Sequence, residues 1–197
     1  MKHPLHSALL VFATLTVSSL ARAHVGTDLS EHHTMGLVEG LLHPFTGLDH
    51  LAAMLAVGFW SALSTRRVWL APLAFANMLL VGALLGLSGI TLSAVEPLVA
   101  ATVLALGLLI ATRAQVPGAV AAALAGSFAV FHGMAHGVEF AGSSAVDVLV
   151  GMLASTVVLH AAGLAAGLAL RSHSVWWPRV AGVAVALWGG ALLAALV

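Results

Sequence analysis

Residues 117–139 read PGAVAAALAGSFAVFHGMAHGVE. No Asp, Glu, Lys or Arg falls between Pro117 and Val138. The length is close to the ~20 apolar residues that a helix needs to cross a ~30 Å hydrocarbon core. The stretch therefore predicts a membrane-spanning helix over 117–138. Its last turns carry more than hydrocarbon. His132 and His136 are four apart and share one helical face, and Glu139 continues that stripe. Two imidazoles and one carboxylate on one face make a facial ligand set for a divalent first-row metal. Gly133 and Gly137 leave the neighbouring face open to close helix contact or to a ligand.

Working outward, similar apolar stretches occur at 47–64, 69–87, 95–112, 146–170 and 178–197. Of 197 residues, 61% are AVILMFWYC and 7% are charged, against about 45–50% apolar and about 25% charged in soluble domains. That balance excludes a soluble globular enzyme and a disordered chain. Seven Lys and Arg against seven Asp and Glu provide no basic face for nucleic acid. There is no Cys, so disulfides, thiolate metal sites and Cys nucleophiles are excluded. No G-x-x-x-x-G-K-[ST] motif is present, so nothing in the chain hydrolyses ATP to drive transport. The expected class is an all-α polytopic membrane protein: a single domain of six transmembrane helices over 24–197.

Residues 1–23 read as a secretory signal peptide. Lys2 supplies the basic start, Ala8–Leu20 the short apolar run, and Ala21-Arg22-Ala23 an A-x-A cleavage site. The alternative is a retained first helix. Cleavage would give His24 a free α-amine, which with its imidazole can chelate a divalent metal; otherwise its place is an accident of processing. Arg66, Arg67, Arg113, Arg171 and Arg179 all fall in the joints on one side of a six-span arrangement. The positive-inside rule makes that side cytoplasmic. Asp28, Glu31, Glu39, Glu96, Glu139 and Asp147 fall on the other, periplasmic side, with the mature N-terminus, in the inner membrane of a bacterium. Trp60, Trp69, Trp176 and Trp177 read as an interfacial belt. Glycines four apart at 82/86, 133/137 and 163/167 predict tight helix contacts. Spans one and four enter from opposite sides, which allows a 3+3 inverted repeat.

The remaining histidines extend the pattern. Met35–Leu42 reads as a short helix broken at His43-Pro44, after which span one restarts carrying Asp49 and His50. Asp49 and His50 suit a proton relay, a helix-capping device or metal ligation. His160, with Thr156, Gly163 and Gly167 on one narrow face of span five, turns toward the bundle interior, as a structural hydrogen bonder or a deeper ligand. His32 and His33 gather metal or are simply a polar tail, and His173 is a solvated loop residue. Nothing in the sequence decides whether Asn77 lines a pathway or packs.

His43-x5-Asp49-His50 with Leu51, Ala53, Met54 and Val57-Gly58 resembles the first-span motif of the HupE/UreJ family of nickel permeases. FHGMAHGVE at 131–139 resembles that family's second motif, and Ala154-Ser155-Thr156 through Leu159-His160 with Gly163 its fifth-span pattern. The resemblance implies a non-enzymatic permease for Ni²⁺ and no prosthetic group. It implies metal contacts at His43, Asp49, His50, His132, His136 and Glu139, with His160 carried over less firmly. It also implies supply to hydrogenase or urease maturation. Cytoplasmic nickel chaperones and a second copy of the chain in a homo-oligomer are the further partners to test for, and the sequence does not give the oligomeric state. Imidazole and carboxylate donors alone suit Ni²⁺, Co²⁺, Cu²⁺ and Zn²⁺ alike, and Met54, Met134 and Met152 add soft donors. The rival readings are a haem protein ligated from two spans, an intramembrane zinc enzyme with Glu139 as base, and a metal sensor that binds without conducting.

Overall fold

The computed structural model describes residues 36–141, 145–172 and 174–196. The predicted signal peptide, His24, His32, His33 and His173 lie outside the described residues. Among the described residues the chain is all-helical: α1 (Leu37–Thr46), α2 (Leu48–Ser64), α3 (Leu70–Leu87), α4 (Val95–Ala111), α5 (Gly118–Glu139), α6 (Ala145–Leu170) and α7 (Trp176–Ala195). Helices α3, α5, α6 and α7 are long and apolar enough to cross a membrane. Helices α2 and α4 are apolar and 17 residues long, roughly 26 Å at 1.5 Å per residue. Large apolar side chains such as Leu187, Val158 and Val180 are exposed on the outside, where lipid is their natural solvent. The protein is a helical membrane protein.

The helix ends fall within two residues of the predicted spans, but the break before the first span lies elsewhere. α1 continues through His43 and Pro44 to Thr46, and the chain turns at Gly47, which is extended at φ −90°, ψ 105°. Pro44 lies inside α1 and leaves the last turn one backbone hydrogen bond short. At the other end, Glu39 accepts the Gly36 N–H at 2.9 Å, which suits a carboxylate in a first turn.

Helices pair most extensively as α3 with α5, α4 with α7, and α2 with α6, while α1 lies on α6. The approach is backbone to backbone. A Cβ on Gly133 would strike the Leu79 carbonyl, one on Gly137 that of Ala83, one on Gly82 that of Val130, and one on Gly86 that of Met134. Gly58 likewise faces the His160 carbonyl, and Gly163 that of Leu55. The face that Gly133 and Gly137 leave bare is therefore occupied by α3. Trp60 is fully buried and donates its indole N–H to the Ala114 carbonyl at 3.3 Å. It is a core residue, not a belt residue, because α2 is enclosed by its neighbours; Trp69, Trp176 and Trp177 are exposed as expected. Asn77 bonds the Leu73 carbonyl of its own helix at 2.7 Å and is exposed.

The Gly133→Ala protein should unfold several degrees below wild type in a detergent thermal melt, reflecting the ~1–3 kcal/mol typical of overpacking. Gly190, with nothing near its would-be Cβ, should accept Ala without loss.

Candidate metal centre

The break at Gly47 sets two short segments at one end of the bundle. His43 lies in the last turn of α1, and Asp49 and His50 lie in the first turns of α2. The last turns of α5 meet them with His132, His136 and Glu139. Among the described residues, His43, His136 and Glu139 form a group able to hold a metal ion. His43 Nε2 is 3.0 Å from His136 Nδ1 and 3.3 Å from Glu139 Oε2, and the latter two atoms are 3.8 Å apart. A circle through the three atoms has a radius of about 2.0 Å, the length of a first-row metal bond to imidazole or carboxylate. The contact between the two rings needs a proton on one nitrogen, and a bound dication replaces that proton.

The second layer lies directly behind. The His50 ring centroid is 4.1 Å from that of His136 and 4.9 Å from that of His132. Asp49 Oδ1 accepts both the backbone N–H of His50 and, at 2.9 Å, its Nδ1. A neutral His50 therefore carries its lone pair on Nε2. His132 is fixed from α4. The Thr102 hydroxyl gives its one hydrogen to the Val99 carbonyl at 2.7 Å, so it accepts from His132 Nε2 at 2.8 Å. That leaves the buried Nδ1 of His132 as a bare acceptor without a partner. His136 Nε2, the nitrogen turned away from the triangle, is also buried without a partner.

The three predicted ligands of α5 thus divide between two layers. His136 and Glu139 join His43, while His132 turns to Thr102 and His50. The cause is pitch: residues four apart share a face but sit about 6 Å apart along the axis. Side-chain exposure falls from 38% at Glu139 through 13% at His43 to 4% at His50, 1% at His136 and 0% at His132. His160 is buried on α6, apart from both layers, with Nε2 unpartnered. Its ring stands edge-on to Phe75 at 5.1 Å, and Phe75 also meets His132 at 5.7 Å. Thr156 donates to the Met152 carbonyl of its own helix at 2.8 Å, and its hydroxyl lies 3.5 Å from Met54 Sδ.

Three participants escaped sequence reasoning. Thr102 was legible only as a hydroxyl in an apolar helix. Phe140 immediately follows the FHGMAHGVE motif; it stacks on His136 and meets His43 at 4.9 Å. Phe75 carries no sequence signal, since only the packing of α3 brings it to both rings.

The chain matches the family model described as HupE / UreJ protein over residues 12–192. It is similar to Protein HupE of Rhizobium leguminosarum bv. viciae, 46% identical over 184 residues that cover 92% of this chain and 94% of that one. No solved structure matches it. A match over nearly the whole length, with both histidine motifs inside it, means that the chain belongs to the HupE/UreJ family.

Proposed function

We propose that the protein is a permease that carries Ni²⁺ from periplasm to cytoplasm across a bacterial inner membrane, for hydrogenase or urease maturation. The observation that carries this reading is the triangle of His43, His136 and Glu139 donors around a point about 2.0 Å from each. It opens to the exterior through Glu139 and leads inward to His50 and His132. In this reading the ion exchanges ligands from one layer to the next, passes Phe75 and reaches His160. Sites of mixed imidazole and carboxylate character bind firmly enough to displace water and weakly enough to release. The haem reading is disfavoured, because imidazoles packed 4.1–4.9 Å apart leave no slot for a porphyrin between them.

The same reading counts α2 and α4 as crossings, six in all after the signal peptide. The arginine end then faces the cytoplasm, where nickel chaperones would receive the ion. Exchanging α2, α3 and α4 for α5, α6 and α7 turns the α3–α5 pair into α6–α2 and maps α4–α7 onto itself. That correspondence supports a 3+3 inverted repeat with the site at the junction of the halves.

Cells expressing the protein should accumulate labelled Ni²⁺, and His132→Ala, His136→Ala and Asp49→Ala should each reduce uptake to background. Uptake unchanged in all three would defeat the assignment. Competition by Co²⁺, Zn²⁺ and Cu²⁺ in the same assay ranks the cargo, with Co²⁺ expected as the nearest competitor. A protein that binds Ni²⁺ in vitro without raising accumulation would instead be a sensor.

Thr102→Val removes the acceptor that sets the His132 tautomer. It should weaken Ni²⁺ binding by roughly 10–100-fold, as loss of an outer-shell partner does. Calorimetric titration of the purified protein checks this, and Thr102→Ser should retain wild-type affinity.

A further inference from the structure

The end of the bundle away from the histidines holds a second concavity, of about 520 Å³. Three arginines line it, each from a different turn: Arg66 after α2, Arg113 after α4 and Arg171 after α6. Gln115 and Ser64 also line it, and no carboxylate does. The acids of the described residues, Glu39, Asp49, Glu96, Glu139 and Asp147, stand at or near the opposite helix ends. Among the described residues none of the three guanidiniums forms an ion pair.

Orientation in the membrane accounts for arginines at this end. It does not account for three turns, distant in sequence, meeting at one open concavity. Gln115 Nε2 donates to the Leu63 carbonyl at 2.6 Å, Trp60 Nε1 to that of Ala114 at 3.3 Å, and Ser61 Oγ to that of Val68 at 2.7 Å. Arg113 takes φ 54° as the residue of the Schellman turn that closes α4, its N–H on the Ile110 carbonyl and that of Ala114 on the Leu109 carbonyl. Ser64 is 5% exposed, and its hydroxyl has no hydrogen-bond partner. Arg66 and Arg171 are exposed and Arg113 is half-buried, so three positive charges border this concavity with no negative group lining it. The carbonyl ends of α2, α4 and α6 offer only about half a charge each.

We propose that this cavity binds a phosphate-bearing anion. The guanidinium forks are suited to phosphate oxygens. Its position at the membrane–cytoplasm boundary admits two sources of the same chemistry, an anionic lipid headgroup or a soluble phosphate.

The test uses the full-length purified protein in neutral detergent and reads its unfolding temperature. One arm titrates inorganic phosphate against sodium chloride of equal ionic strength; the other adds phosphatidylglycerol against phosphatidylcholine. A saturable rise with phosphate identifies the soluble source, and a rise with phosphatidylglycerol alone identifies the headgroup; either upholds the site. Arg113→Gln and Arg171→Gln should each shift the midpoint at least about tenfold, and Arg113→Lys should lose less. Arg179→Gln should titrate like wild type, because Arg179 lies over Trp176 and does not line the cavity. No stabilisation beyond chloride or phosphatidylcholine, or arginine variants that titrate like wild type, would overturn the proposal. These readouts do not involve nickel, so they stand apart from the transport reading.

Discussion

An imidazole nitrogen in an apolar interior costs free energy unless something answers its lone pair or its proton. Among the described residues the bundle buries such atoms without a partner on His132, His136 and His160, within a membrane protein whose exterior is already apolar. Water cannot reach them cheaply, and nearby protein groups have been committed elsewhere: Thr102 orients the far side of His132, Phe140 stacks on His136, and Phe75 stands beside His132 and His160. A cation is a partner that clustered imidazole lone pairs, such as His132 Nδ1 and His136 Nδ1, are suited to accept. The rest of the fold can be read as what holds that cluster in place.

That holding is done largely by glycine. Ring-to-ring distances below 5 Å between α1, α2 and α5 require the helices to be anchored close to one another. Contacts through Gly133, Gly137, Gly82 and Gly86 let α3 grip α5, and Gly58 and Gly163 do the same for α2 and α6. In lipid, where the hydrophobic effect does not drive helices together, such close backbone approach is a principal source of association. Stability and site geometry thus rest on the same small residues, and the precision of the donors follows from the rigidity of the pairs.

The spans were legible because a polytopic chain writes its helices as apolar runs divided by charged joints, and the helix ends lie within two residues of that reading. The motif residues were legible as candidates because imidazoles and carboxylates are rare in such runs. How they group was not. Helical periodicity assigns a face but not a depth, so His132, His136 and Glu139 looked like one ligand set when the pitch divides them. The break was placed at His43-Pro44 because proline is the stronger local signal, whereas the chain turns at Gly47, where an extended backbone links α1 to α2. Trp60 looked interfacial from its place near a span end, but enclosure of α2 is a tertiary fact. Thr102, Phe75 and the meeting of three arginine turns are tertiary in the same sense: each depends on which helix neighbours which, and no local pattern encodes that.

The decline in exposure from Glu139 to His132 has a consequence for the proposed cargo. A hydrated dication arriving from outside carries a full shell of six or so waters, and stripping them in one event would be a prohibitive barrier. Here the first protein oxygen it meets is still partly wet, the next nitrogen less so, and the last entirely dry. Each protein atom can take the place of one departing water before the following one leaves. The gradient of wetness along the row would turn a single steep dehydration into a staircase, and an ion whose shell does not match the order of the steps would stall near the top.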